Sequence, residues 1–280
     1  MTKSDDNDVA PARVYRHSLA TRVTHWVNAF CVAILLLSGL QILNAHPRLY
    51  WGQYGANADT PFIAFEARRN SVGEMSGVTR IGGLRFNTTG VLGASEIDGA
   101  MQARGFPAWL TFPASRSLGA GRNWHFFFAW ALVLNGLLYL FISFRRGHVR
   151  RDLLPRRAEL KPAHLLHEIG QHARLKPPRG AAALSYNTLQ KLAYLSVIFA
   201  LMPLMVLTGL SMSPGMNAAA PILIDLFGGR QSARTIHFLC AFGIVLFVVV
   251  HVFEVFVAGV WNEMRSMITG WYVVKPEKKA

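Results

Sequence analysis

Cysteine and charge are both scarce in this sequence of 280 residues. Only two cysteines occur, Cys31 and Cys240, and each lies within an apolar run, which excludes a disulfide framework or a cysteine-rich metal site. The C-x-x-C-H attachment sequence is absent, which excludes a c-type cytochrome. Charged residues make up only 16% of the chain, whereas 52% are hydrophobic. This composition is too apolar for an ordinary soluble domain.

Acidic residues are also few, and this bears on the class of partner. The chain has 15 Asp and Glu against 29 Lys and Arg, a formal net charge of +14. Such an excess can indicate a nucleic-acid-binding protein, but here the basic residues stand in blocks between long apolar runs. That pattern is typical of a membrane protein with positively charged loops, and we predict no nucleic-acid partner.

Four apolar segments approach the roughly 20 residues that a helix needs to cross a bilayer. They cover residues 23–43, 124–144, 189–210 and 236–260. Backbone groups in hydrocarbon need partners within their own segment, and the segments lack the alternation of barrel strands, so helices are favoured. The sequence therefore predicts an all-α membrane protein, a bundle of four transmembrane helices. We interpret the first segment as a retained helix because it is long for the apolar part of a signal peptide.

The loops predict the orientation of these helices. Residues 145–188 carry ten Lys and Arg but only three Asp and Glu, which predicts a basic cytoplasmic loop. With an even number of spans, residues 1–22 and 261–280 are then solvated cytoplasmic tails, and residues 44–123 form a periplasmic insert between helices 1 and 2. A connection this long is usually functional. We expect a small ordered cap that docks a partner, with disorder as the alternative.

The positions of the histidines indicate a metal-binding function. On the fourth span His237 and His251 are fourteen residues apart, close to four helical turns, so both project from one face about 21 Å apart along the axis. That distance is too long for one metal ion, but it suits one ligand for each of two haems. The six histidines that lie in tails and loops are interpreted as solvated: His17, His46, His148, His164, His167 and His172.

The predicted topology supplies each of these two ligands with a partner. His25 begins the first span on the cytoplasmic side, which the fourth span reaches near His251. His125 opens the second span on the outer side, near the depth of His237. We therefore predict two haem irons, one between His25 and His251 and one between His125 and His237. Two histidines leave no open position on an iron, which suits electron transfer, although any one of them alone is equally well read as an interfacial residue.

Other polar residues near the spans have two interpretations each. Arg22, Arg122 and Arg234 each precede a candidate ligand by three residues, where a guanidinium can pair with a haem propionate. The alternative is a cationic helix flank that reaches toward the interface. Glu254 lies one turn beyond His251, and it either relays protons for a quinone or sits at the interface.

Several local patterns resemble a known family. The sequences Arg22–Trp26 and Gly121–His125, together with the spacing of His237 and His251, resemble the bacterial cytochrome b561 and hydrogenase or formate dehydrogenase cytochrome b superfamily. Residues 228–237 and 262–271 resemble its thiosulfate reductase cytochrome b subunit branch, also called cytochrome b/b6 domain proteins. The resemblance implies two haem b groups at the four histidines, exchange of electrons with quinone, and a periplasmic molybdopterin oxidoreductase as partner. The long 44–123 insert departs from the hydrogenase and formate dehydrogenase subunits.

The sequence thus predicts an electron-transfer subunit of a respiratory oxidoreductase complex, without catalytic residues of its own. Two rival functions stay open. One is a self-contained b561-type enzyme, such as a superoxide:quinone oxidoreductase. The other is a haem-free membrane anchor or transporter in which the histidines bind protons or another metal.

Overall fold

A computed structural model describes residues 12–56, 58–69, 71–175 and 180–274. Parts of the predicted tails, residues 1–11 and 275–280, lie outside the described residues. Lys176 and Arg179 of the predicted basic loop do so as well.

Helices dominate the described ranges. They are α1 (Leu19–Leu43), α2 (Leu118–Arg145), α3 (Pro162–Ala173), α4 (Thr188–Ser196), α5 (Met202–Ser211), α6 (Pro214–Ala219), α7 (Ile222–Leu226) and α8 (Arg230–Thr269). The strands are short: β1 (Arg13–Tyr15), β2 (Arg48–Leu49), β3 (Ile63–Arg69), β4 (Met75–Ile81), β5 (Leu84–Asn87), β6 (Ala94–Ile97), β7 (Ala100–Ala103) and β8 (Trp271–Val273).

Four helical segments are long and apolar enough to cross a membrane. They are α1, α2, the segment Thr188–Ser211 and α8, so the prediction of a membrane protein with four helical spans is confirmed. The prediction of an all-α fold is wrong, because the chain also contains the eight strands. Few side chains of these segments are buried inside the protein, as expected for helices whose apolar surface faces lipid. The helices α1 and α2 begin at Leu19 and Leu118, upstream of the predicted apolar runs.

The third span is not one continuous α-helix. A π-helical turn, Val197–Leu201, separates α4 from α5, and Pro203 stands in the first turn of α5. Proline has no N–H, and its ring clashes with the carbonyl four residues earlier. The wider π turn accommodates both effects.

The fourth span has a break near its predicted end. Gly259 adopts φ 113° and ψ 86° inside α8, which then continues to Thr269. The described part of the predicted tail 261–280 is therefore partly helical, and strand β8 follows the helix.

By its contacts the chain forms two compact units. The first contains residues 1–26, 138–199 and 245–280. In it β1 pairs with β8 in antiparallel register, with Val14 opposite Tyr272. The Arg16 Nη1 atom lies 3.2 Å from Glu263 Oε2. Residues 13–22 are thus not a free solvated tail, because these backbone pairs and the ion pair hold the segment in place.

Histidine 17 also departs from its prediction as a solvated residue. Its backbone N–H donates to the carbonyl of Gly270 at 3.4 Å, and the residue is partly buried. Burial, followed by the charge of Arg16, lowers the pKa of His17 to about 4. The imidazole is therefore neutral at neutral pH.

Part of the predicted basic loop is also ordered in the first unit. The Glu168 side chain on α3 accepts hydrogen bonds from the Thr188 hydroxyl and the Leu189 N–H, each at 3.2 Å. His164 Nε2 lies 3.1 Å from the carboxylate of Glu168, so this histidine is not simply solvated. These bonds hold α3 against the start of α4.

The second unit contains residues 27–137 and 200–244. Its main sheet is antiparallel in the order β2-β3-β4-β5, and β6 and β7 form a separate hairpin. Residues 82–83 join β4 to β5, and residues 98–99 join β6 to β7. Asp98 and Gly99 have φ values of 52° and 77°, as two-residue hairpin turns require. The 44–123 segment, for which order and disorder were both open, is ordered in its described residues.

An apolar core attaches this sheet to the ends of two membrane helices. It consists of Leu43, Leu49, Ile63, Phe65 and Phe106, and Phe238 of α8 packs against it.

Buried polar contacts add to that attachment. Asn44, at the end of α1, donates to the Phe106 carbonyl at 3.2 Å and accepts from its N–H at 2.7 Å. One side chain thus satisfies both backbone groups of Phe106. These bonds hold the segment that contains Phe106 against the end of α1.

The first N–H groups of α8 are capped by the sheet-bearing segment. The Arg230 N–H donates to Gln53 Oε1 at 2.9 Å, and the N–H groups of Gln231 and Ser232 donate to the Gly52 carbonyl. In return the Gly52 N–H donates to Ser232 Oγ at 2.7 Å. A helix start needs such partners, so the insert fixes where α8 begins.

Candidate functional site

The four candidate ligands come together in two pairs. In the first unit the ring centroids of His25 and His251 are 6.2 Å apart, with an interplanar angle of 54°. In the second unit those of His125 and His237 are 6.3 Å apart, with an angle of 60°. Each pair joins two different helices, and the pairing is the one that the sequence predicts.

This spacing leaves room for one metal ion between the two rings of each pair. A metal binds an imidazole nitrogen at about 2 Å, and the nitrogen lies about 1 Å from the ring centre, so two axial ligands place their centroids about 6 Å apart. Within the described ranges no group of three or more His, Cys, Asp or Glu residues could hold a metal ion. Each pair therefore fits a metal that brings its remaining ligands with it, as haem iron does.

The rings of the His125/His237 pair have hydroxyl partners on neighbouring helices. His125 Nδ1 lies 3.1 Å from Ser38 Oγ of α1, and His237 Nδ1 lies 3.0 Å from Thr208 Oγ1 of α5. In both rings Nε2 is the nitrogen left for a metal.

The His25/His251 pair has a different surrounding. His251 stacks on Phe247 with an interplanar angle of 10°, and Tyr194 meets it edge-on at 6.5 Å. His25 Nδ1 is buried and has no hydrogen-bond partner among the described residues. Aromatic rings thus pack around His251 of this pair.

The structure places the three predicted propionate-binding arginines in different settings. The Arg22 guanidinium donates to the carbonyl of Ile268. Arg122 is exposed, and its guanidinium lies 5.6 Å from the ring centre of Phe126. Arg234 is partly buried and donates to the carbonyl of His46. Their role toward propionates stays a prediction.

Two residues near Arg234 were missed by the sequence interpretation. His46 Nε2 and the Tyr50 hydroxyl are buried without a hydrogen-bond partner among the described residues, and their rings stack at 5.8 Å. Burial, followed by the charges of Arg234 and Arg48, lowers the pKa of His46. Unpaired buried donors are rare, so these groups fit an acidic group of a bound ligand. The loop position of His46 gave no sign of this burial.

Glu254 lies on α8 and is partly buried. It is close enough to Tyr194 for an electrostatic interaction, and Tyr194 also contacts His251. The position of Glu254 one turn beyond His251 and its part in quinone chemistry stay a prediction for the site.

Two glycines lie against the second pair, and they allow a matched test. A Cβ added at Gly39 would lie 3.2 Å from His125 Cε1, whereas one at Gly209 would lie 3.5 Å from His237 Cε1. The first distance is tighter than ordinary packing, and the second is a normal contact. We expect Gly39→Ala to displace His125 and to weaken the binding of a metal-containing ligand at this pair by about tenfold. Gly209→Ala should change this binding little. The fraction of bound ligand that each variant retains during detergent washes measures this difference. Equal retention by the two variants would contradict the prediction.

Comparison with known proteins agrees with this geometry. The family described as prokaryotic cytochrome b561 matches residues 16–270, which include both histidine pairs. A protein of Azospira oryzae, assigned as the YedZ1 subunit of a protein-methionine-sulfoxide reductase, is 30% identical over 250 residues. The match covers 89% of this chain and 93% of that protein. No solved structure matches the chain.

Proposed function

Because this chain belongs to the prokaryotic cytochrome b561 family, we propose that it is a dihaem electron-transfer subunit of the bacterial inner membrane. It passes electrons between a periplasmic molybdopterin-type oxidoreductase and the quinone pool. The observation that carries the proposal is the separation of 6.2 Å and 6.3 Å between paired histidine rings. Membership of the family itself implies binding of haem b.

The arrangement of the histidines favours two haems over one. Each pair is complete within its own compact unit, so neither needs a ligand from the other. On sequence grounds the two ligands of α8 are about 21 Å apart along the helix, and one group cannot reach both. Haem supplies a one-electron carrier, and two axial histidines keep substrates off its iron.

The surroundings of the pairs also suit haem. Arg22, Arg122 and Arg234 supply cations for the propionates. Near Arg234 the unpaired Tyr50 hydroxyl supplies a further hydrogen-bond donor, and His46 Nε2 supplies another in the tautomer that carries its proton there. These buried polar atoms are costly unless a bound acceptor pairs with them, which supports a carboxylate at that place.

Two observations support a role as a subunit with a partner. The relative from Azospira oryzae is by its name a reductase subunit. The folded 44–123 segment exposes large aromatic side chains, with Tyr54 82% and Trp109 72% exposed. Aromatic side chains are enriched at protein interfaces, and a periplasmic position of this segment follows from the predicted topology. The molybdopterin type of the partner rests on the sequence resemblance.

The quinone is proposed to react beside the His25/His251 pair. Glu254 lies one turn beyond His251 in α8, and a quinone that gains electrons also takes up protons. A partly buried carboxylate at membrane depth is suited to deliver them.

A spectrum of the purified protein tests the proposal. The pyridine haemochrome assay is expected to give two haem b per chain, and a quinol analogue is expected to reduce both without an added partner. Absence of haem would overturn the proposal and favour the anchor or transporter. Oxidation of superoxide to O2 by the isolated chain, with reduction of quinone to quinol, would instead favour the self-contained enzyme.

A further inference from the structure

The two helices that face His125 and His237 repeat a short sequence. Residues 37–40 read Leu-Ser-Gly-Leu in α1, and residues 207–210 read Leu-Thr-Gly-Leu in α5. In each copy the hydroxyl contacts the Nδ1 atom of one histidine. The following glycine lies against the Cε1 atom of that same ring. The same contact is therefore built twice, once for each ligand of the pair.

The direction of these hydrogen bonds can be derived. Ser38 Oγ lies 2.6 Å from the Ile34 carbonyl, and Thr208 Oγ1 lies 2.6 Å from the Leu204 carbonyl. A carbonyl only accepts, so each hydroxyl donates its proton within its own helix. The hydroxyl oxygen then has only lone pairs to offer the imidazole. Nδ1 of each histidine must be the donor and carry the proton.

Burial makes this assignment firm. Ser38 and Thr208 are both 0% exposed, so water does not compete for their hydroxyl groups. A neutral imidazole has one protonated nitrogen. With the proton on Nδ1, the lone pair of Nε2 is free to bind a metal.

We propose that Ser38 and Thr208 are positioning residues, which fix the Nδ1–H tautomer of His125 and His237 and lower the midpoint potential of the haem between them. This inference rests on the proposed function. Donation from Nδ1–H makes Nε2 a more basic ligand, and a more basic ligand favours the oxidised iron. Both hydroxyls contact ligands of the His125/His237 pair, so the effect is specific to one of the two haems.

The test removes each hydroxyl and then restores it. The variants are Ser38→Ala and Thr208→Ala, with Ser38→Thr and Thr208→Ser as conservative replacements. Ser211→Ala is the matched control, because the Ser211 hydroxyl is also buried and donates to a helix carbonyl, that of Thr208. For each variant the readouts are haem content by pyridine haemochrome and a redox titration that resolves both haems.

The alanine variants are expected to keep two haems and to raise one midpoint potential. A tenfold change in the reduction equilibrium corresponds to about 59 mV for one electron, and we expect a shift of about that size. The other potential stays unchanged, the conservative variants return toward wild type, and Ser211→Ala has no effect.

Two results would overturn it. One is that both alanine variants hold two haems with unshifted potentials, in which case the proposed function still stands. The other is a shift or haem loss that Ser211→Ala shares or that the conservative variants do not restore. Absence of haem from the wild-type protein is a different result, because it refutes the proposed function itself.

Discussion

Replacing His237 by alanine is expected to lower the haem content from two haem b per chain to one, and replacing His251 is expected to remove the other haem. A b-type haem is held by coordination and packing alone, so loss of an axial ligand weakens its binding greatly. The rings of His237 and His251 belong to different pairs and different compact units. Pyridine haemochrome analysis measures the loss, and a redox titration identifies which midpoint potential has disappeared.

Three comparisons sharpen this prediction. His167→Ala is the control, because His167 is an exposed histidine of α3 and its loss should leave both haems in place. The double variant His125→Ala/His237→Ala should lose no more haem than His237→Ala, since both residues hold one iron. If the His237 and His251 variants lose the same haem, or if each keeps two, the assignment of pairs is wrong.

The membrane helices and the histidine pairs could be predicted from the sequence for a physical reason. A span must be apolar over its whole length, and this requirement is visible in any window of the sequence. The pairing followed from the depth of each histidine in its span. Because successive helices run in opposite directions, histidines of different helices that lie at the same depth can be neighbours. Ring separations of 6.2 Å and 6.3 Å agree with that reasoning.

The sheet of the 44–123 segment was not predicted, because strand pairing depends on residues distant in sequence. Local signals for it were nevertheless present. Gly82-Gly83 and Asp98-Gly99 each stand between two short runs, and such dipeptides favour two-residue hairpins. By contrast β1 and β8 are three residues each and come from opposite ends of the chain. No local pattern could have paired them.

The hydroxyl partners of His125 and His237 are an intermediate case. The repeated Ser-Gly and Thr-Gly sequences were visible at residues 38–39 and 208–209. Small residues in membrane helices usually indicate helix packing, so these sequences alone do not indicate contact with a histidine. Only the contacts of Ser38 Oγ and Thr208 Oγ1 with the ring nitrogens distinguish support of a ligand from packing.

Replacing Gly229 by alanine is expected to detach the start of α8 from the insert and so to damage the His125/His237 site. Gly229 has φ 115°, which an L-residue adopts only at a cost of about 1–3 kcal/mol. A Cβ there would also lie 2.6 Å from backbone atoms of Gly52 and Gln53. These are the residues that cap α8, and backbone at this distance must move. We expect the haem between His125 and His237 to be lost first on heating. The absorption bands of the two haems, followed as the temperature rises, measure this loss.

The neighbouring glycine provides the control that separates backbone strain from the clash. Gly228 also has positive φ, 70°, but the nearest atom to an added Cβ is Ser232 Oγ at 3.9 Å. Gly228→Ala should therefore cost only the left-handed conformation, about 1–2 kcal/mol, and should keep both haems. If the two variants lose haem at the same temperature, the close approach of Gly229 to residues 52–53 does not govern the site. If only Gly229→Ala fails, the insert sets the position of the helix that carries a ligand from each pair, and its folding is a condition for haem binding at His237.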